Sequence, residues 1–139
     1  MKKILLLLLI FSAACKSKPK EAPVSVKLIN NGRSVKFQGI DDAILGEISR
    51  GAGPEIWQSL LPVYRLPADT DMKDYQQPQP GTYKLQEKGI VFTPDTPFIK
   101  GQAYYVRYYH FDEGKNVWDI VKNKRKLGNQ PFTDLEWRW

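Results

Sequence analysis

Val24, Val26 and Leu28 alternate with Ser25 and Lys27, the dipeptide Asn31-Gly32 follows, and Val35 and Phe37 then alternate with Ser34, Lys36 and Gln38. Alternation with a period of two sends successive side chains to opposite faces of a strand, and Asn-Gly between two such runs suits the two positive-φ positions of a tight hairpin turn. Closing the loop at Asn31-Gly32 sets Asn30 opposite Arg33, Leu28 opposite Val35 and Val26 opposite Phe37, so the apolar residues of both strands share one face. A single hairpin with one apolar face is marginal in water and must be covered by another layer. The chain is thereby committed to a layered β architecture.

The same signals recur further along. Tyr83 and Leu85 alternate with Thr82, Lys84 and Gln86, Glu87-Lys88-Gly89 forms a turn, and Ile90 and Phe92 alternate with Val91 and Thr93. Gly89 suits a bulged three-residue turn, whereas a two-residue register aligns Leu85 with Ile90 and Tyr83 with Phe92; the pattern leaves both open. Over residues 103–111, Tyr104, Val106 and Tyr108 fall on one face of a long strand and Tyr105, Arg107 and Tyr109 on the other. Residues 63–66, 117–121 and 133–139 read as further strands. Within residues 40–49, Asp41-Asp42 could cap a helical turn, but a strand over 44–48 interrupted at Gly46 is preferred. Ile56, Trp57, Leu60 and Leu61 have helical spacing over a stretch too short to decide, ended by Pro62. Residues 67–81 contain three prolines with Asp69, Asp71 and Asp74, the composition of a long surface excursion. Such loops are where function tends to sit.

The N-terminus carries an address. Lys2 and Lys3 precede an apolar run over residues 4–11, followed by Ser12-Ala13-Ala14 and then Cys15, the one cysteine of the chain. A basic start, a short apolar run and small residues are the three regions of a secretory signal, and the run is far shorter than the roughly 20 residues that span a bilayer. A cysteine directly after the small residues resembles the lipobox of bacterial lipoproteins. That resemblance implies a signal peptide over residues 1–14, cleavage before Cys15, and acylation of Cys15 as a membrane anchor. Lys16, in place of an aspartate, permits export to the outer membrane rather than retention at the inner one where that sorting rule holds. Residues 15–23, polar and broken by Pro19 and Pro23, read as a flexible tether. Residues 24–139 then form one domain, too short for two comfortable cores.

A second resemblance lies in residues 88–106, Lys-Gly-Ile-Val-Phe-Thr-Pro-Asp-Thr-Pro-Phe-Ile-Lys-Gly-Gln-Ala-Tyr-Tyr-Val. The succession of strand, Phe92-Thr93-Pro94, Pro97-Phe98, Gly101 and Tyr104-x-Val106 is similar to the later half of bacterial Ig-like domains of surface proteins. It implies an all-β, antiparallel Ig-like sandwich of about seven to nine strands, with Phe92 and Tyr104 pointing inward from two strands and Pro94, Pro97 and Gly101 shaping the crossover.

The residues offer little for catalysis. With one histidine, His110, and no cysteine past Cys15, neither a zinc site nor a Cys-His pair can be built from the usual ligands, and no metal or cofactor is expected. Asp69-Thr70-Asp71 departs from a calcium loop at Lys73, where a third oxygen ligand is needed. Asp41-Asp42 and Asp112-Glu113 carry no mark of a glycosidase pair, and Gly51-Ala52-Gly53 lacks the continuation of a phosphate loop. Aromatic and basic residues remain. Trp118, Trp137 and Trp139 could stack on sugar rings if exposed, though alternation equally makes them core. Lys124 and Arg125, with Lys122 and Lys126, form the densest basic cluster and could meet anionic head groups. The chain has 21 basic against 15 acidic residues, and on the far side of a secretory membrane that surplus favours envelope surfaces over nucleic acid. The expected protein is a non-enzymatic, lipid-anchored module contacting an envelope protein, with a glycan as the alternative ligand.

Overall fold

In the computed structural model, which describes residues 23–50, 53–110 and 131–139, the first hairpin forms in the expected register. Strands β1 (Ser25–Ile29) and β2 (Ser34–Gln38) pair with Val26 opposite Phe37 and Leu28 opposite Val35. Asn31 (φ 54°) and Gly32 (φ 75°) are the central positive-φ residues, Asn30 before them is positive as well (φ 53°), and the Arg33 N–H donates to the Asn30 carbonyl at 3.2 Å. This is a type I′ turn, whose twist matches that of the flanking strands.

The second hairpin takes the tight alternative. Strands β4 (Gly81–Gln86) and β5 (Gly89–Pro94) pair with Tyr83 opposite Phe92 and Leu85 opposite Ile90. Glu87 (φ 46°) and Lys88 (φ 53°) make the turn without a glycine. Gly89 instead serves the sheet: a β-carbon there would stand 2.6 Å from the Phe37 carbonyl oxygen of the neighbouring strand.

Strands β3 (Val63–Arg65), β6 (Ala103–Tyr109) and β7 (Phe132–Arg138) complete seven strands among the described residues. They form two antiparallel sheets with orders β1-β2-β5-β4 and β3-β6-β7. Numbered along the chain, these are the strand orders of a constant-type immunoglobulin sandwich. Tyr104, near the start of β6, accepts a hydrogen bond at its hydroxyl from the Ile99 N–H at 2.9 Å, the position and partner of the tyrosine corner in such sandwiches. Phe92 and Tyr104 are both buried and belong to opposite sheets, as expected of inward residues in a sandwich.

Residues 42–49 are helix, not strand, and this corrects the sequence reading. The Asp41 carboxylate accepts from the Ala43 N–H at 2.6 Å and the Ile44 N–H at 3.3 Å, satisfying donors that the first turn of a helix leaves unpaired. Helix α1 (Asp42–Ser49) then buries Leu45 and half-buries Ile44. A capping side chain outweighs the β-branched content of the run. Helix α2 (Pro54–Leu60) buries Trp57 and Leu60, and closes with the Leu61 N–H on the Trp57 carbonyl at 2.8 Å, before Pro62. Both helices lie in the connection from β2 to β3.

The core joins Val35, Phe37, Ile90 and Phe92 of one sheet to Val63, Tyr104 and Val106 of the other. Phe98 bridges them, with ring centroids 6.4 Å from Phe92 and 4.7 Å from Tyr104. The expected signal peptide, Cys15, the strand expected at 117–121, Trp118, Lys124 and Arg125 lie outside the described residues.

Candidate functional site

The two outer faces of the sandwich differ in chemistry. On the four-stranded sheet, alternation turns Ser25, Lys27, Lys36, Gln38, Thr82, Lys84 and Gln86 outward around the buried Ser34 and Val91, a mainly polar face. On the three-stranded sheet it turns out Tyr64, Tyr105, Arg107, Tyr109, Phe132, Asp134 and Glu136, and the register brings Tyr64 beside Tyr105, Tyr105 beside Glu136, Arg107 beside Asp134 and Tyr109 beside Phe132. Aromatic side chains and arginine are the types enriched where proteins bind each other.

Charge is locked together in the middle of this face. Arg107 donates through Nε and Nη2 to the two oxygens of Asp134 at 2.9 and 3.0 Å, a bidentate fork. Its Nη2 also donates to Asp74 at 2.9 Å, and its guanidinium stands 4.0 Å from the centre of the Phe132 ring. Lys73 reaches Glu136 at 2.8 Å and Asp134 at 3.1 Å. Burial alone would push the Asp134 carboxyl up, but hydrogen bonds and charge from Arg107 and Lys73 prevail and hold it below the usual carboxylate range. The Arg107 guanidinium is held still more firmly charged, chiefly by the bond to Asp134.

Lys73 and Asp74 belong to the excursion between β3 and β4, so this network fastens that segment to the sheet. Residues Thr70–Tyr75 form a 3₁₀ turn capped by Asp69, whose carboxylate accepts from the Asp71 N–H at 3.0 Å. Asp69 and Asp71 are thus engaged in shaping a turn. The Tyr105 hydroxyl donates to the Lys73 carbonyl at 2.7 Å, and the Lys73 ammonium sits 4.6 Å above the Tyr105 ring. Tyr105 stacks on Tyr64 at 4.9 Å. Burial pushes both phenols up, each to about 12, with the neighbouring tyrosines adding to the shift of Tyr64. Around this fastened centre, Tyr75 is 74% and Phe132 45% exposed. Phe132 lies against the Arg107 guanidinium, and Tyr75 follows Asp74, which is paired with it.

Of the residues singled out for ligand stacking, two are described. Trp137 lies in the ring cluster with Phe98 at 5.9 Å and Tyr104 at 6.0 Å, and Trp139 packs on Gly32 with the Lys100 ammonium 6.0 Å from its ring. Protein atoms meet both rings, whereas Tyr75 and Phe132 have open surface. His110 pairs its Nε2 with the Thr133 hydroxyl at 2.7 Å. Among the described residues no group of three or more His, Cys, Asp or Glu is placed to hold a metal ion.

Sequence reasoning placed Tyr105, Arg107 and Tyr109 on one face but missed their partners. The signal for Asp134 and Glu136 was their own alternation with Leu135 and Trp137 on the next strand. Lys73 and Asp74 gave none, because a loop has no register. No protein-family model, no curated protein and no solved structure matches this chain.

Proposed function

We propose that this chain is a lipid-anchored protein of the bacterial cell envelope whose sandwich is a non-enzymatic module for docking another envelope protein. The observation that carries the docking is Phe132, exposed against the Arg107 guanidinium on the outer face of the three-stranded sheet, with the exposed Tyr75 next in sequence to Asp74, the second carboxylate on that arginine. An exposed ring against an arginine whose charge is already neutralised by Asp134 and Asp74 presents apolar area with little left to desolvate. The mainly polar face of the other sheet has no counterpart. Anchoring rests on Cys15 in its signal-like context, and acyl chains on that residue would hold the module at a membrane through a tether of about ten residues.

Two measurements test this reading. Intact mass and membrane fractionation of the full chain beside a Cys15→Ser variant test the anchor. Acyl mass, loss of residues 1–14 and membrane recovery in the native chain alone are expected; two soluble, unmodified proteins would remove the anchor. A photo-reactive phenylalanine analogue at Phe132 and, separately, at Lys84 tests the face. A discrete cross-linked envelope protein from position 132 alone is expected, and equal labelling from both positions would argue against a dedicated surface.

A further inference from the structure

Two open sheets have four edge strands, here β1 and β4 on one sheet and β3 and β7 on the other. Each edge carries backbone N–H and C=O groups with no partner in its sheet, and what guards them decides whether another strand can add there. β3 is three residues long, and its Val63 carbonyl already accepts from the Gln79 N–H at 2.6 Å. β1 and β4 carry the exposed lysines Lys27 and Lys84, the side chain that most often guards an edge. β7 has neither lysine nor proline, and it pairs with β6 over seven consecutive residues without a bulge.

The register identifies its free groups. At the two ends of the β6–β7 ladder the His110 N–H donates to the Pro131 carbonyl at 2.8 Å and the Trp139 N–H to the Gln102 carbonyl at 3.1 Å. Hydrogen-bonded pairs alternate along an antiparallel ladder, so the backbone groups of Thr133, Leu135 and Trp137 face β6. Those of Phe132, Asp134, Glu136 and Arg138 point away from it, and none has a hydrogen-bond partner among the described residues. They recur at about 7 Å, the two-residue repeat of an extended chain, and so fit a strand.

The side chains select the kind of strand. An antiparallel addition sets one residue directly opposite each of these four. A second copy of β7 overlapping along its full length would set Asp134 against Glu136 twice, and a shift of two residues would set Asp134 against Asp134 or Glu136 against Glu136. Like charges so placed oppose pairing. Asp134 has both oxygens engaged by Arg107 and Lys73, whereas the half-exposed Glu136 engages Lys73 through Oε1 alone. A base across from Glu136 and an acid across from Arg138 complement the edge, and β7 itself cannot supply them over its full length.

We propose that β7 is a strand-addition site, on which an extended segment of a partner protein pairs antiparallel along Phe132–Arg138, with basic side chains across from Asp134 and Glu136. This rests on the docking reading above and gives it a geometry. The test is amide exchange in the isotope-labelled full chain in an uncharged detergent, with and without the capped peptide Glu-Thr-Lys-Val-Lys-Thr-Tyr. Without peptide, the amides of Phe132, Asp134, Glu136 and Arg138 should exchange faster than those of Thr133, Leu135 and Trp137; equal protection would mean that the edge is already covered and overturns the proposal. At peptide nine times its dissociation constant those four amides should slow about tenfold. The charge-swapped Lys-Thr-Glu-Val-Glu-Thr-Tyr should bind about fivefold more weakly. Glu136→Pro removes one outward N–H, spares the bonds to β6 and should weaken binding about tenfold. No slowing with the first peptide, equal affinity for the two, undiminished binding by Glu136→Pro, or slowing that rises with protein concentration alone, the mark of a second copy, overturns strand addition. A partner cross-linked at Phe132 without peptide pairing would keep the docking and remove the strand site; pairing without a cross-linked partner would keep the strand site and remove the envelope partner.

Discussion

The indole of Trp139 lies against the α-carbon of Gly32, so that a side chain at position 32 would have to occupy the space of the ring. The turn of the first hairpin and the end of the last strand are thereby packed together across the two sheets. Gly32 is also left-handed, at φ 75°, so a substitution meets both a clash and backbone strain. Gly32→Ala is expected to destabilise the domain by about 2–4 kcal/mol, the sum of a left-handed alanine and an overpacked contact. In a Trp139→Leu background the penalty should shrink toward about 1 kcal/mol, the backbone share alone. Urea denaturation of the four proteins measures the coupling, and an unchanged penalty would show that the ring does not matter.

Asp134 should set the acid limb of stability. Its carboxyl gives up a proton more readily folded than unfolded, because the bonds from Arg107 and Lys73 outweigh burial. The native state therefore binds fewer protons over that range. This contribution is fully present above the ordinary value of 3.8 and is lost as pH falls through the lower folded value. Asp134→Asn should flatten that limb and cost about 2–3 kcal/mol at neutral pH, less than a fully buried pair because its edge reaches solvent. Denaturation midpoints across the acid range give the comparison; parallel curves for the two proteins would remove Asp134 from the account.

Lys73 fastens a loop rather than the fold. Lys73→Met keeps the stem but removes the ion pairs to Asp134 and Glu136, while the Tyr105 hydroxyl still holds the backbone carbonyl. Global stability should fall by about 1 kcal/mol or less, as for partly exposed pairs. Hydrogen exchange should quicken in the amides of residues 70–76 and not in β6, and uniform quickening of both would mean that the excursion and the sheet open as one unit.

How much of this could be read from the sequence divides by range. Both hairpins and the long strand at Tyr104 were legible because alternation and turn chemistry act between neighbours. The strand preferred at residues 44–48 failed against a local cap, the Asp41 carboxylate accepting from the Ala43 and Ile44 N–H groups at the start of the helix. Gly89 misled in a different way: it signalled a turn but answers to the Phe37 carbonyl, which belongs to a strand some fifty positions earlier in the chain. The Lys73–Asp134 and Asp74–Arg107 contacts join an irregular loop to the strands of the sheet. No periodicity reaches across such a separation, and those features awaited the fold.

Tyr64 and Tyr105 contribute to the alkaline limb together with Tyr83 and Tyr109, whose phenols burial also pushes up. Stacked face to face, with burial raising each phenol to about 12, Tyr64 and Tyr105 keep their protons in the folded protein after an unfolded tyrosine has lost its own near 10. Between those values the native state binds more protons than the unfolded state, so stability must decline as pH rises from about 10 towards 12. Arg107 opposes the shift of Tyr64 by favouring the phenolate, and Asp134, Tyr109 and Tyr105 reinforce it. Lys73 is raised as well, its carboxylate partners outweighing burial. The informative comparison is consequently wild type against Tyr64→Phe, which retains the stacked ring and every contact of Lys73. The variant should decline less steeply over that interval, and the wild type should show one more late-ionising phenol in tyrosinate absorbance. If Tyr64→Phe follows the wild-type curve in both measurements, the Tyr64 phenol titrates as if in water and the stack is more open than its geometry implies.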